Sequence, residues 1–151
     1  MTARIMTLLV VIATVFTMGC GSSQVAESKV ATSEQNVTDS VTAFSAGDFA
    51  KAEQAASNAI NGGGLPVDLF VKALMVRAAS RGIAGQFDTA LADLDQAAQG
   101  AGEMDQVHGL KSLILSAKGD AKPAAEELVK AKQFNKTLKL PTDLKKWEFG
   151  K

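Results

Sequence analysis

The sequence holds one cysteine, one histidine, one tryptophan, three prolines and no tyrosine in 151 residues. A lone cysteine excludes an internal disulfide and any cysteine-rich zinc or iron–sulfur site. One histidine without tyrosine leaves little acid–base chemistry near neutral pH. Charge of one sign is missing too, because 16 basic and 16 acidic side chains cancel. That balance removes the net field expected of a general polyanion binder, so no nucleic-acid partner is expected. What is present is apolar: 46% of residues are hydrophobic, which excludes an intrinsically disordered chain. Twenty-five of them are alanine, which lets helices approach closely but buries little surface per residue. The length fits one domain of ~100–200 residues.

The apolar content is unevenly placed. After Met1-Thr2-Ala3-Arg4, the fourteen residues Ile5 to Met18 carry no charge. A bilayer core needs ~20 helical residues, so this run is short for a permanent span. It has the size of a secretory h-region. Gly19-Cys20 follows directly, then Gly21-Ser22-Ser23. The arrangement resembles a bacterial lipoprotein signal peptide, although Thr17 and Met18 stand where Leu and a small residue are usual. The resemblance implies removal of residues 1–19 and diacylation of Cys20, giving the two acyl chains that stable attachment requires. It also implies a lipid-anchored location in a bacterial cell envelope. Gly21 occupies the position where Asp would mark inner-membrane retention, which favours the periplasmic face of an outer membrane if two membranes are present.

The remaining 132 residues repeat. Phe44-Ser45-Ala46-Gly47-Asp48-Phe49, with Ala52 and Ala59, returns as Ile83-Ala84-Gly85-Gln86-Phe87 with Ala90 and Ala97. It returns again as Ser116-Ala117-Lys118-Gly119-Asp120 with Ala124 and Ala131. The turn glycines Gly47, Gly85 and Gly119 lie 38 and 34 residues apart. The pattern resembles the tetratricopeptide repeat (TPR). In that scheme glycine makes the interhelical turn, the next polar residue caps the second helix, and Ala52, Ala90 and Ala124 sit at the crossing within each helix pair. Ser40, Ala78 and Ser112 match the small position of the first helices, whereas Asn36, Leu74 and His108 replace a customary large residue. No repeat carries the closing proline.

Apolar spacing predicts six helices and no strand. The first starts near Val25 or Thr32 and the second covers Phe49 to Ile60. The third starts at Pro66 and runs towards Arg81, and the others span about 86–99, 103–117 and 120–134. Pro141-Thr142-Asp143 begins a short final helix with Leu144, Trp147 and Phe149, placed to cap the array. The expected organisation is a tether over 20–32, three TPR-like repeats (about 33–62, 71–102 and 105–136) and a basic capping segment over 137–151. The fold class is all-α, an α-solenoid.

No catalytic constellation emerges. His108 has no second ligand at metal spacing, and Gly62-Gly63-Gly64 lacks the lysine of a phosphate loop. Asp93 and Asp95 point to different helix faces and are expected in solvent. No enzyme activity, metal or cofactor is assigned. The TPR resemblance implies instead a protein partner, a peptide or helix held in a concave groove. By position that groove takes Val37, Thr38, Val41 and Phe44 from the first repeat and Lys72, Met75, Val76, Ala79 and Ile83 from the second. The third repeat adds Gln106, Leu110 and Leu113. The expected role is an adaptor for another envelope protein. The alternative is a self-associating structural module, homo-oligomeric in that its open ends stack, with the groove filled by its own C-terminal segment. Charge is also polarised: residues 20–117 carry six basic and eleven acidic side chains, and residues 118–151 carry nine lysines and five acids. The basic end is placed to touch anionic headgroups or an acidic partner.

Overall fold

A computed structural model describes residues 21–149. It contains α1 (Gly21–Ser45), α2 (Phe49–Gly62), α3 (Val67–Ile83), α4 (Phe87–Ala98), α5 (Met104–Lys118) and α6 (Ala121–Phe134). A single 3₁₀ turn, Leu144–Lys146, follows. No strand occurs among the described residues, so the chain is all-α there as expected. The signal-like segment 1–19 and Cys20 lie outside the described residues.

The chain folds as three helical hairpins joined by the same turn. In each, the residue after the turn glycine donates its N–H to a carbonyl five residues back: Asp48 to Ala43, Gln86 to Arg81 and Asp120 to Leu115. This 6→1 bond is the Schellman arrangement, which satisfies a helix-terminal carbonyl and needs a left-handed residue at its centre. Gly47, Gly85 and Gly119 supply it with φ of 82°, 78° and 97°. Caps for the following helices are less uniform than expected. Asp48 accepts from the Lys51 N–H at 3.1 Å, whereas Gln86 and Asp120 make no side-chain cap bond.

Helices α1, α3 and α5 touch in series to form one layer, with each even-numbered helix packed on its neighbours in sequence. Alanines line the buried sides of the even helices: Ala52, Ala56, Ala59, Ala90, Ala97 and Ala131 are fully buried. Ser40, Ala78 and Ser112 are buried at the crossings, and the Ser112 hydroxyl donates to the Ala124 carbonyl at 2.8 Å. Helix α3 is central and is buried on nearly all sides, including Leu74, Val76, Ala78 and Ala79. A helix enclosed in this way has an apolar surface with little one-sided stripe. Full burial of a side chain such as Leu74 contributes roughly 2–3 kcal/mol.

The antiparallel path brings six helix ends together. Val30 of α1 lies against Gly64, Val67 of α3 lies against Gly100, and Asn135 donates to Asp105 at 3.0 Å. The N-terminal ends of α3 and α5 and the C-terminal ends of α2, α4 and α6 therefore share one end of the molecule with the Val30 turn of α1, and α1 runs nine residues beyond it to Gly21.

Two boundaries differ from the sequence reading. Helix α1 begins at Gly21 rather than between Val25 and Thr32, so the stretch expected as a tether is helical from Gly21 onward. It contains no proline, and Val30 and Ser33 rest on Gly64 and Gly62 across the first hairpin, which extends the helix beyond its repeat. The expected final helix is one 3₁₀ turn. Asp143 accepts from the Lys145 N–H at 3.0 Å to start it, and an extended Trp147 ends it. No described helix is long and apolar enough to cross a membrane.

Candidate functional site

The face of the α1–α3–α5 layer is where the groove was expected. Residues 135–149 cross it as a strap. Leaving α6, the strap sets Leu138, Leu140 and Trp147 over Gly109 of α5, then Leu144 over Gly82 of α3. A Cβ at Gly109 would stand 2.7 Å from Leu140 Cδ2, so glycine there allows the strap its close seat. At the far side Phe149 meets Phe44 of α1 edge-to-face, with centroids 5.1 Å apart, and Phe44 meets Phe49 in the same way. Leu144 and Trp147 are each only 6% exposed, and both belong to the main hydrophobic core.

The groove assignment is corrected accordingly. Phe44, Met75, Val76, Ala79 and Leu110 are buried core residues, not an open lining. Val37 is buried too, in a small separate cluster with Ala59 and Ala73 on the α2 side. Val41, Ile83 and Leu113 are partly buried against the core. Two causes contribute: Val37 is closed by Ala59 of α2 and Ala73 of α3, whereas Phe44 is covered by Phe149 of the strap, which crosses the rest of the face over Gly82 and Gly109. Thr38 is exposed and donates to the Glu34 carbonyl within its own helix.

One part of the face stays open. A cleft of about 550 Å³ lies at the shared helix end, between the start of α3, the α4–α5 connection and Phe149 of the strap. Val67, Val71, Met75 and Phe149 give it an apolar floor, and Lys72, Asp68, Glu103 and Gln106 stand at its polar rim. It thus unites Lys72, Met75 and Gln106 of the expected set and leaves the others out. Its volume falls in the range of pockets that accept a small ligand or one or two large side chains. Val67, 62% exposed, is an apolar residue at its edge. Val67, Val71, Glu103 and Phe149 were not anticipated, because a TPR-based assignment by position reaches neither the first turn of α3 nor the strap.

Two polar clusters flank the core. Asp93 was expected in solvent but is 5% exposed. Its carboxylate accepts from Arg77 Nε and Nη2 at 2.9 and 2.7 Å and from Arg81 Nη1 at 2.9 Å. Arg81 also donates to Glu53 at 2.8 Å, so the network ties α2, α3 and α4 together. The arginines at positions 77 and 81, one helical turn apart on α3, were the sequence signal for it. Asp95, by contrast, is exposed and pairs with Lys111.

His108 is half-buried: its Nδ1 lies 2.6 Å from Glu127 Oε2, and its ring stacks on Phe134. Burial pushes the Glu127 carboxyl up, but hydrogen bonds from Lys130 and His108 outweigh that and hold it below its ordinary value. Among the described residues no group of three or more His, Cys, Asp or Glu side chains is placed to hold a metal ion. Comparison with protein families, with curated proteins and with solved structures finds no match to this chain.

Proposed function

We propose that this chain is a lipid-anchored, TPR-like adaptor of a bacterial cell envelope. It performs no chemistry of its own and holds another envelope protein at the open cleft. Three hairpins with one repeated turn, stacked through buried alanines, support the TPR-like reading. The glycine–cysteine pair after a short apolar run supports the anchor, with Cys20 as the acylated residue.

The observation that carries the adaptor role is the cleft itself, where exposed Val67 and half-buried Phe149 stand at an apolar floor closed by the buried Val71 and Met75. An apolar anchor side chain of a partner peptide or helix fits such a floor, and the polar rim orients it. Val67→Glu places a charge at the cleft edge on a side chain that the fold does not need. Co-purification of the partner should be lost while the far-UV helical signal is unchanged; a retained partner refutes the cleft as the docking site. For the anchor, Cys20→Ser should block both acylation and removal of residues 1–19; a Cys20→Ser protein that is still processed and membrane-bound as before refutes lipidation there.

A second reading is favoured by the strap itself. The self-filled face fits a structural module that needs no partner on most of its surface. Sedimentation separates the two, since a module that works by self-association is not a monomer.

A further inference from the structure

We propose that the outer side of the C-terminal strap is a docking surface for an anionic lipid bilayer. The strap is two-sided. Leu138, Leu140, Leu144 and Trp147 face the helices, while Lys136, Lys139, Lys145 and Lys146 are all exposed. No ion pair joins these four lysines to a carboxylate among the described residues. They therefore differ from Lys118 and Lys130, whose ammonium groups are taken up by Asp88 and Glu127. Because its apolar residues fix the strap to α3 and α5, its four lysines, set against the two exposed acids Asp143 and Glu148, are held on the folded body rather than on a free tail.

A concave site concentrates the charge further. Lys139 and Lys146 both line a cleft of about 520 Å³ with Gln106, Asn135 and Thr137, and the carboxylate of Glu148 stands in the same cleft, so the site is net positive by one charge. The cleft is therefore no dedicated phosphate pocket; it is the exposed lysines of the strap taken together that suit the negative surface potential of a bilayer. The acidic remainder of the molecule disfavours any other face for that contact: residues 20–117 carry six basic and eleven acidic side chains.

Topology points the same way. The strap leaves α6 at the end of the molecule towards which the N-terminal part of α1, the helix that follows Cys20, also points. A lipid on Cys20 would hold that end nearest the membrane. This supporting point rests on the proposed anchor, whereas the charge argument does not.

The test uses residues 20–151, the proposed mature chain, carrying Cys20→Ser, so that neither acylation nor the apolar run Ile5 to Met18 contributes. It is mixed with vesicles of phosphatidylcholine alone or with about 30% phosphatidylglycerol, as a stand-in for an anionic leaflet. The expected result is co-sedimentation with the anionic vesicles at low salt, little with neutral ones, and loss at about 0.5 M salt. Lys139→Gln with Lys146→Gln should weaken partitioning about thirtyfold, at roughly fivefold per lysine near an anionic surface. Both side chains are exposed, and an unchanged far-UV spectrum shows that the fold is intact.

Equal partitioning on the two vesicle types, or no effect of the double substitution, overturns the proposal. So does binding of soluble glycerol phosphate or an acidic peptide without binding to anionic vesicles, which would assign the lysines to a soluble anion. Failure here leaves the Cys20 anchor untouched, because that reading stands or falls on Cys20-dependent attachment in cells.

Discussion

Replacing Asp93 by Asn removes one charge from the middle of the fold and almost no volume. The carboxylate accepts three hydrogen bonds, two from Arg77 and one from Arg81, and is only 5% exposed. The Asn amide keeps one acceptor oxygen and turns an N–H₂ donor toward guanidinium donors. Breaking a buried pair by deleting one partner costs roughly 3–5 kcal/mol, chiefly because the other charge is left uncompensated. Here the side chains of Arg77 and Arg81 retain 14% and 22% of their exposure, so water relieves part of that loss. Arg81 also keeps Glu53. The lower limit, about 3 kcal/mol, is therefore expected.

For a domain of this size, about 3 °C of Tm is lost per kcal/mol, so thermal unfolding should shift down by roughly 10 °C. Circular dichroism melts at neutral pH, with urea unfolding as a second measure, read this directly. The companion variant Arg77→Met with Asp93→Leu removes both charges together and should cost distinctly less. A shift below about 3 °C for Asp93→Asn, or a larger loss for the double apolar variant, would refute the argument that this buried carboxylate ties α3 to α4.

Other outcomes follow from the same geometry. Trp147→Ala removes most of the strap's buried bulk and should destabilise the fold by roughly 3 kcal/mol in urea titrations. Trp147→Phe should cost under about 1 kcal/mol, because the buried indole N–H has no hydrogen-bond partner among the described residues and its loss offsets the smaller ring. Gly119→Ala forces a side chain into φ of +97° and should cost about 1–2 kcal/mol although nothing stands within 4 Å of the added carbon. Glu127 is held below its ordinary pKa of 4.5, so its contribution to stability is complete above that value and is lost as pH falls through its folded-state pKa. Wild type should be more stable than Glu127→Gln at pH 7, and the gap should close in melts at about pH 3; a constant gap would contradict this.

Much of the fold is legible in the sequence because it is written locally. The glycine of each turn and the alanines around it identify the hairpins, and five helices fall within a few residues of their apolar spacing. The start of α1 is not legible in that way: Gly21–Ser33 is polar, and its helical state depends on Val30 and Ser33 meeting Gly64 and Gly62 in another helix and loop. The site is harder for the same reason. Met75, Leu110 and Phe44 read as a face in search of a cover, and the sequence contains the cover in Leu140, Leu144, Trp147 and Phe149. Whether the two meet depends on a crossing over Gly109 and Gly82, glycines that carry no turn signal. Asp93 looks like a surface residue until α3 brings Arg77 and Arg81 against it.

The central claim is that the cleft left beside the strap receives another protein. A photocrosslinking amino acid at position 67, in the full-length protein expressed in its own cells, tests this most directly. The account predicts one discrete adduct with a different envelope protein, absent when the exposed rim residues Asp68 and Glu103 are both changed to Lys. No adduct, or adducts only between copies of this chain, would contradict it.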